Sequence, residues 1–314
     1  MKVFVAGATG AVGRRLVPAL VARGHTVVGT TRSPGKAEEL RAAGAEAVVV
    51  DVLDAAAVRE AVGAAAPDVV VHQATALSDL GNNPRKFDAD FAPTNRLRTE
   101  GTDHLLAAAR EAGASRFVAQ SFAGWPYARE GSWIKTEEDP LDPEPPKAAR
   151  RTLAAIRHLE EAMTGTDGID GVVLRYGGFY GPGTSLSKDG SHAKAIRKRT
   201  WPIIGSGRGV WSLVHIDDAA GATVAAVERG ANGIYNVVDD EPAAVEEIVA
   251  DLAGVLGAKP PRRIPAWLGR LIGGEFAVAL MNEVRGASNA KAKRELEWSL
   301  RFPSWRQGFR EGLG

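Results

Sequence analysis

Short apolar runs and amphipathic segments alternate along the first 175 residues of the chain. The apolar runs are rich in valine, which is typical of strands buried on both faces of a parallel sheet. The predicted strands are Lys2–Ala6, Thr26–Thr30, Ala47–Val50, Asp68–His72, Arg116–Gln120 and Gly171–Arg175. The predicted helices between them are Val12–Arg23, Lys36–Ala43, Ala55–Ala65, Gly101–Ala112 and Thr152–Thr164. This alternation predicts an α/β fold with a doubly wound parallel sheet.

The regular alternation breaks after Arg175. Residues 177–190 have the composition of a loop, and two more strands are predicted at Ser212–His215 and Gly233–Val237. From Glu241 onward, helical segments are separated by prolines, which interrupt regular structure. The last third of the chain therefore predicts a smaller lobe that closes over the sheet.

We expect this lobe to bind substrate and the sheet to bind a dinucleotide. The Rossmann domain is predicted to cover residues 1–176 and to include residues 210–238, while residues 177–209 and 239–314 form the smaller substrate-binding lobe. Ligands of such sheets bind outside the carboxyl ends of the strands.

Three residues are expected to face the cleft between the two domains. Gly10 follows the first predicted strand, Ser121 ends the fifth, and Gly178 follows the sixth. Because the carboxyl ends of parallel strands meet at one edge of the sheet, these positions should lie at that edge.

A glycine-rich turn follows the first predicted strand. Its spacing is G-x-x-G-x-x-G, and it opens a predicted helix. Small residues let the backbone approach a pyrophosphate, and the helix start offers free N–H groups and the positive end of its dipole. The strand before and the helix after make the motif more specific than a glycine triplet alone. The predicted cofactor-binding residues of this turn are Gly7, Thr9, Gly10, Ala11, Val12 and Gly13.

The end of the second predicted strand indicates which dinucleotide is bound. A site for NAD places an acid here to bind the ribose hydroxyls, whereas the 2′-phosphate of NADP requires a cation and small donors. No Asp or Glu lies between His25 and Ala37. Arg32 and Ser33, with Lys36 nearby, therefore favour NADP over NAD. The alternative is that Arg32 is an ordinary solvated cation.

Composition narrows the functions that this fold could serve. The 314-residue chain has a net charge of +1, which gives no reason to expect a nucleic acid or a membrane as partner. The absence of cysteine excludes disulfides, thiolate catalysis and Cys-ligated metals, and no metal site is expected. With no signal-like segment and no apolar run of roughly 20 residues, a cytoplasmic protein with a small-molecule substrate is expected.

Further motifs occur in order along the chain: DVLD at 51–54, VVVHQATA at 69–76, RFVAQSFAG at 116–124, LRYGGFYGPG at 174–183 and VHIDDAA at 214–220. With the glycine-rich turn, they resemble the extended short-chain dehydrogenase/reductase family, in its NAD(P)-dependent epimerase/dehydratase group. The segment SNAKAKRELEWSLRFPSWRQGF is similar to the closing segment of that group. The resemblance therefore covers nearly the whole chain.

The resemblance implies further cofactor-binding residues. Asp51 and Val52 would flank the adenine. Gln73, Ala74 and Thr75 would line the ribose and nicotinamide side of the site. The family pattern thus extends the predicted cofactor site across the ends of the third and fourth strands.

The resemblance also implies residues near the reacting atoms. Ser121 matches the active-site hydroxyl of the family, while Tyr176 and Gly178 would pass close to the nicotinamide. His215 and Asp217 have structural positions in this family, so neither is expected to be catalytic.

The chain departs from the family at its acid/base pair. Family enzymes carry Y-x-x-x-K on the helix before the sixth strand, where Tyr exchanges a proton and Lys lowers its pKa and holds the ribose. No tyrosine of this chain has a lysine four positions later. Three alignments of the pair stay open: Lys147/Arg151, Thr152/Ile156 and Leu153/Arg157.

Without that pair, another residue must supply the proton. Ser121 can orient a carbonyl but is a poor acid at neutral pH. Tyr127 and Tyr176 are the expected replacement donors, with Tyr127 first because it follows Ser121 closely. Packing or solvation is the alternative for each. Further candidate donors are Tyr180, Lys147 and His192.

The sequence predicts an NADP-dependent oxidoreductase with a nonstandard proton donor. Aromatic residues fall where the substrate pocket is expected, which favours a small, apolar or aromatic carbonyl or hydroxyl compound, although they could equally be core. These residues are Phe122, Trp125, Tyr127, Trp201 and Trp211.

Two alternatives remain open. One is a sugar-nucleotide epimerase or dehydratase, whose diphosphate could be held by Arg197, Lys198, Arg199 and Arg208. Against it, Val210-Trp211 stands where such enzymes often carry Arg-Asp. The other is an NADP(H)-binding sensor without catalysis, since fold alone does not determine activity.

A homodimer is also expected from the resemblance. Many family members pair through two helices of the Rossmann domain, which in this chain would be Gly101–Ala112 and Thr152–Thr164. The second helix is rich in charged residues, which argues against a buried seam.

Overall fold

The computed structural model describes residues 1–77 and 83–314. Its centre is a seven-stranded sheet in which every neighbouring pair of strands is parallel. The strands are β1 (Lys2–Ala6), β2 (Thr26–Thr31), β3 (Glu46–Val49), β4 (Val69–His72), β5 (Arg116–Phe122), β6 (Asp170–Tyr176) and β7 (Gly233–Val237). Their order is β7-β6-β5-β4-β1-β2-β3, which confirms the predicted doubly wound sheet. The order reverses between β1 and β4, where such folds form a ligand crevice.

Helices cover the sheet and build most of the smaller lobe. They are α1 (Gly13–Ala22), α2 (Ala37–Ala42), α3 (Ala55–Ala65), α4 (Phe87–Asp90), α5 (Ala92–Arg96), α6 (Thr102–Glu111), α7 (Arg150–Thr164), α8 (Ser191–Arg197), α9 (Ile216–Glu228), α10 (Val245–Val255), α11 (Ala266–Asn282), α12 (Ala290–Glu295) and α13 (Trp305–Glu311). Within the described ranges, no helix is long and apolar enough to span a membrane.

Shorter elements connect these helices and strands. The chain forms 3₁₀ turns at Pro34–Lys36, Pro84–Lys86 and Lys147–Ala149, and a π-helical turn at Leu97–Gly101. Two- and three-residue strands pair outside the main sheet: Gly178–Tyr180 with Leu213–His215, Val210–Trp211 with Ala243–Ala244, Ile203–Ile204 with Arg263–Ile264, and Ile134–Lys135 with Gly286–Ala287. These short pairs connect the lobe to the loops beyond the sheet.

Alternation along the strands assigns each side chain to one of two cores. Val3 and Val5 pack on one face with α1 and α9, whereas Phe4 packs on the other face with α3, α6 and α7. A third core, built around Ile204 and Trp305, fills the smaller lobe. We keep the predicted division into two domains as a proposal that fits these separate cores.

Helix α7 begins earlier than predicted, at Arg150 instead of Thr152. The two carboxylate oxygens of Asp88 accept the backbone N–H groups of Arg151 and Thr152, each at 2.9 Å. Asp88 thus satisfies N–H groups that a helix start leaves without a partner. This partner lies 63 positions away from Arg151, so local sequence could not reveal it.

Candidate active site

The glycine-rich turn lies at the carboxyl end of β1, beside the end of β4. Gly7 has φ +86°, and a Cβ there would lie 2.6 Å from the backbone nitrogen of Ala74. A side chain is therefore excluded by both conformation and space. At Gly10, by contrast, the only atom near an added Cβ is the Gly7 carbonyl oxygen, at 3.2 Å. The turn thus offers open space above its backbone at the start of α1, which fits a pyrophosphate.

The rest of the turn is anchored to the protein. Val12 is buried against Ile216 on α9. Arg15, one turn into α1, donates to the Asp217 carboxylate at 2.6 Å and to the Pro182 carbonyl at 2.6 Å. Thr9 and Ala11 stay partly exposed. The turn is therefore held in place while the side chain of Thr9 and the backbone around Gly10 remain accessible.

His215 and Asp217 have structural contacts. The His215 Nδ1 accepts the backbone N–H of Asp217 at 3.2 Å, and its Nε2 lies 2.9 Å from the Gly312 carbonyl oxygen. Together with the Arg15 ion pair, these contacts join the start of α9 to α1 and to the C-terminal segment.

The adenosine side of the predicted site lies at the ends of β2 and β3. Arg32, Ser33 and Lys36 are exposed, and within the described residues no carboxylate forms an ion pair with either cation. Asp51 is exposed and accepts the Leu53 N–H at 3.0 Å, while Val52 is buried. These side chains border a surface that can receive the adenosine half of a dinucleotide.

The end of β4 supplies the predicted ribose and nicotinamide residues. Ala74 and Thr75 are half-buried, whereas Gln73 is buried and donates its side-chain N–H to the Tyr176 hydroxyl at 3.0 Å. Within the part of the chain that the structure describes, the Gln73 Oε1 is buried without a hydrogen-bond partner. An orphaned acceptor of this kind is costly in the free protein, so it favours a ligand or water at this position.

Tyr176 is the last residue of β6, and its side chain is buried in the core on the α9 side of the sheet. Its hydroxyl is 2.6 Å from the Thr223 Oγ1, and burial raises the pKa of Tyr176 to about 12. Tyr176 packs in the same core as Val118, whereas Ser121, three positions later on β5, projects from the opposite face. The structure therefore does not bring the hydroxyls of Tyr176 and Ser121 together.

Ser121 and Tyr127 belong to one buried hydrogen-bond network. The Ser121 hydroxyl donates to the Glu160 carboxylate at 2.7 Å, and Arg175 donates twice to the same carboxylate, at 2.8 and 2.6 Å. Arg175 also donates to the Tyr127 hydroxyl at 2.9 Å, which in turn donates to the Asn236 Oδ1 at 2.6 Å.

This network gives both predicted catalytic hydroxyls partners within the protein. Burial raises the pKa of the Tyr127 phenol, although Arg175 works in the opposite direction. Burial disfavours the Arg175 charge, yet the hydrogen bonds and charge of Glu160 raise the pKa of Arg175 overall. The catalytic roles of Ser121, Tyr127 and Tyr176 stay predictions, and the observed contacts of each hydroxyl are structural.

The inward face of α7 determines what replaces the family's acid/base pair. Thr152, Ile156 and Glu160 are buried, and their spacing of four residues puts them on one side of the helix. Because Glu160 contacts Ser121, this side faces the end of β5. Lys147 and Arg151 are exposed, whereas Leu153 is buried and Arg157 donates to the Asp142 carbonyl. Because Thr152 and Ile156 share the side of the helix that contacts Ser121, we propose that they take the place of the Tyr and Lys.

Neither replacement is an acid/base group. The Thr152 hydroxyl donates to Asp88 at 2.7 Å and accepts from the Asn95 Nδ2 at 3.1 Å. Ile156 packs in an apolar cluster with Trp125 and Phe276. Family enzymes carry the proton donor on this helix. At the two proposed positions, this chain has a threonine hydroxyl that is bound to Asp88 and an apolar isoleucine.

That apolar cluster is largely aromatic. The Trp125 ring meets the rings of Phe87 and Phe276 edge-on, with centroids 5.6 and 5.4 Å apart. Phe122 and Trp211 pack against the same cluster. Three predicted pocket aromatics, Phe122, Trp125 and Trp211, thus come together beyond β5, and the cluster can form the wall of an apolar pocket.

The other two predicted aromatics lie elsewhere. Tyr127 packs in a separate small core with Val238. Trp201 stacks between Trp211 and His192, with ring centroids 6.0 and 4.5 Å apart. Burial lowers the pKa of His192, which disfavours its charged form as an acid.

The cations considered for a diphosphate are largely engaged within the lobe. Arg197 donates to the Lys188 carbonyl and Arg199 to the Pro260 carbonyl. Arg208 lies over the Trp133 ring, 5.9 Å from its centroid. These contacts do not gather the cations into one cradle.

Two buried polar residues near the end of β4 were missed by sequence reasoning. His72 ends the strand, and burial lowers its pKa to about 4. Arg98 lies on the π-helical turn and is 8% exposed. His72 directly follows a run of valines, and this position at the end of a strand could have indicated a buried histidine. Nothing in the local sequence indicates that Arg98 is buried.

Comparison with known proteins places this site in a family. The model of the NAD dependent epimerase/dehydratase family matches residues 3–238. A 3-diazoavenalumate denitrifying reductase from a Streptomyces species is 46% identical over 311 residues, covering 98% of this chain and 99% of that protein. A 4-hydroxy-2-methyl-3-oxo-4-farnesyl-3,4-dihydroquinoline-1-oxide ketoreductase from Stigmatella aurantiaca is 30% identical over 260 residues, covering 82% of this chain and 74% of that protein.

A solved structure shares the fold over the same length. The UDP-glucose 4-epimerase of Thermotoga maritima, bound to UDP-glucose, superposes with a TM-score of 0.77 at 21% identity. The match covers 100% of this chain and 97% of that one. The fold predicted from the sequence is therefore the fold of a known epimerase.

Proposed function

This chain belongs to the NAD dependent epimerase/dehydratase family, and from that premise we propose that it is an NADPH-dependent reductase of an aromatic diazo compound. Its relatives are named as reductases and epimerases of small molecules, so the chain is an enzyme that uses a nicotinamide dinucleotide. The identity of the hydride acceptor and the choice of NADP over NAD are the proposed parts.

The observation that carries the proposal is the inward face of α7. In the alignment that we propose, Thr152 and Ile156 take the positions at which a carbonyl reductase of this family needs its proton donor and its lysine, and both side chains are buried. Reduction of a carbonyl creates an alkoxide and depends on an acid. A diazo group needs no acid in the hydride step, because the positive charge on its nitrogens is neutralised by the hydride itself. A relative that is 46% identical and named for a diazo substrate supports this acceptor.

The chemistry balances without an added oxidant or reductant. When bound, the reduced nicotinamide supplies a hydride. The terminal nitrogen of an arenediazonium accepts it, which gives an aryldiazene, Ar–N=N–H. The carbon–nitrogen bond then breaks, N₂ leaves, and the hydrogen is retained on the ring carbon as Ar–H. With a neutral ortho-quinone diazide the same step yields a phenolate and N₂.

The chain's own residues bind and shield the acceptor. Phe122, Trp125 and Phe276 supply aromatic surface beside the end of β5. Electron-rich ring faces attract electron-poor and cationic groups, and apolar walls exclude water. Ile156 is buried in the same cluster, so it adds apolar surface on the α7 side.

The experiment that tests this function uses diazotised 2-aminophenol labelled with ¹⁵N, together with NADPH. We expect one ¹⁵N₂ and one phenol for each NADPH oxidised, measured by mass spectrometry and absorbance. Heat-denatured protein controls for direct reaction between the reagents. NADPH oxidation on ketones with no N₂ release from the diazo compound would instead support the carbonyl reductase expected from the sequence.

The cofactor form is tested at the end of β2. Arg32→Ala is expected to weaken NADPH binding roughly tenfold and to leave NADH binding unchanged, because a charge-assisted hydrogen bond to the 2′-phosphate is lost. Isothermal titration of both cofactors measures the two affinities. Arg41→Ala, which removes an exposed cation from α2, is the matched control. Equal wild-type affinities for NADPH and NADH would contradict the choice of NADP.

A further inference from the structure

Arg98 is a buried cation with unpaired donors. Its side chain is 8% exposed, and its Nε and Nη1 atoms are buried with no hydrogen-bond partner among residues 1–77 and 83–314. It lies on the π-helical turn Leu97–Gly101, a rare geometry that often marks functional positions. Burial lowers the pKa of Arg98 to about 10, so the guanidinium is still charged at neutral pH. A buried charge without hydrogen bonds is unfavourable unless something binds to it.

The surroundings of Arg98 place it between the end of β4 and α7. The carbonyl of its neighbour Leu97 lies 3.0 Å from the His72 Nε2, at the last residue of β4. On the other side, the charge of Arg98 interacts with Glu160. The Glu160 carboxylate is already engaged by Arg175 and Ser121, so Arg98 is a second cation beside a single anion.

A second orphaned atom lies one turn earlier on the same segment. The Oδ1 of Asn95 is buried and has no hydrogen-bond partner among the described residues, while its Nδ2 donates to the Thr152 hydroxyl at 3.1 Å. Asn95 therefore lies beside Thr152, and Arg98 lies beside Glu160, two turns further along the same face of α7. Among the described residues, the Gln73 Oε1 at the end of β4 is a further buried acceptor without a hydrogen-bond partner.

We propose that Arg98 binds the nicotinamide half of the dinucleotide, donating its unpaired N–H groups to the ribose hydroxyls. Family enzymes use the lysine of Y-x-x-x-K as the cation that holds the ribose. In this chain, Arg98 would supply that cation from the π-helical turn. Ile156 occupies that lysine position and has no donor, so the ribose needs another partner. The proposal rests on the assigned cofactor but not on the diazo substrate.

A pair of ligands separates the two halves of the cofactor. NADP⁺ contains both halves, whereas 2′,5′-ADP carries the phosphorylated adenosine and lacks the nicotinamide riboside. We expect Arg98→Met to weaken NADP⁺ roughly ten- to a hundredfold in calorimetric titration and to change 2′,5′-ADP affinity less than twofold. Arg98→Lys should restore part of the NADP⁺ affinity. Arg32→Ala is the matched control, expected to weaken both ligands.

The melting temperature distinguishes binding from a structural role. If Arg98 serves the cofactor, Arg98→Met removes an unpaired buried charge, so the apo protein should melt at the same or a higher temperature. The rise in melting temperature on adding NADP⁺ should shrink. A lower apo melting temperature, with equal loss of affinity for both ligands, would overturn the proposal and assign Arg98 to the fold.

Two further outcomes keep the proposals separate. If the wild-type protein binds NAD⁺ in preference to NADP⁺, the same comparison is made with NAD⁺ and ADP. The expected difference in affinity loss between the two ligands is the same. Unchanged NADP⁺ affinity in Arg98→Met would overturn the proposal even if diazo reduction is observed. Failure of diazo reduction leaves the binding result intact, since no turnover enters these measurements.

Discussion

Wild-type protein is expected to show a kcat/KM at least a hundredfold higher with diazotised 2-aminophenol than with 2′-hydroxyacetophenone, a ketone of similar size. General acid catalysis typically contributes about 10²- to 10⁴-fold, and Thr152 and Ile156 cannot provide it. The ketone develops an alkoxide that must be protonated, whereas the diazo acceptor loses its positive charge as hydride arrives. The ratio follows from initial rates of NADPH oxidation with each acceptor, with products identified by chromatography.

Tyr127→Phe tests the replacement donor within the same assay. If Tyr127 protonates the ketone, this change should slow ketone reduction by about a hundredfold or more and spare the diazo reaction. The Tyr127 hydroxyl donates to the Asn236 Oδ1, so its proton is already engaged within the protein. We therefore expect ketone turnover of Tyr127→Phe to stay within threefold of wild type. A ketone rate equal to the diazo rate in wild type, abolished by Tyr127→Phe, would contradict the diazo proposal and restore the carbonyl reductase.

Ser121→Ala completes this comparison. The Ser121 hydroxyl donates to Glu160, so its loss should affect the buried network more than a bound acceptor. A large loss of ketone turnover with unchanged stability would instead support Ser121 as the group that orients a carbonyl.

The sheet could be predicted because its signals are local. A run such as Val3–Ala6 is apolar throughout, since both faces of the strand are covered, and the helices between strands keep their own period. The cofactor turn is equally local, because the conformation of Gly7 and the start of α1 are both encoded within seven residues. Predictions of this kind need no knowledge of distant contacts.

The candidate site depends on contacts that sequence patterns do not contain. Glu160 and Ser121 are 39 positions apart, and the charge of Arg98 interacts with Glu160 because the π-helical turn packs against α7. Two-residue strands such as Ile134–Lys135 have too few positions for any period to appear. Nothing in the local sequence distinguishes Arg98 from a surface cation, because burial of a charge is determined by tertiary packing.

The missing Y-x-x-x-K pair shows what can be predicted from the sequence and what cannot. Its absence was evident from the sequence, but which residues replace it stayed open among three alignments. The contact between Glu160 and Ser121 orients α7 and supports the proposed alignment with Thr152 and Ile156. One long-range hydrogen bond therefore decides what local pattern could not.

Glu160→Gln is expected to lower the free energy of unfolding by about 3–5 kcal/mol, since removing one partner of a buried ion pair leaves an uncompensated charge. Glu160 and Arg175 are 6% and 4% exposed, and Glu160 is also the anion nearest to the extra cation Arg98. Urea unfolding monitored by tryptophan fluorescence measures the change. The exposed pair Arg96–Glu100, four residues apart on the surface, provides the matched control, and Glu100→Gln should change the free energy of unfolding far less than Glu160→Gln.

A double substitution separates the ion pair from simple loss of packing. Replacing both partners, as Glu160→Leu with Arg175→Met, removes the two charges together, so much of the stability lost in Glu160→Gln should return. Tyr127 and Ser121 would lose their hydrogen-bond partners, which makes full recovery unexpected. If Glu160→Gln destabilises no more than Glu100→Gln, the buried network does not hold α7 to the sheet, and the rotation of that helix, with the assignment of Thr152 and Ile156, loses its physical basis.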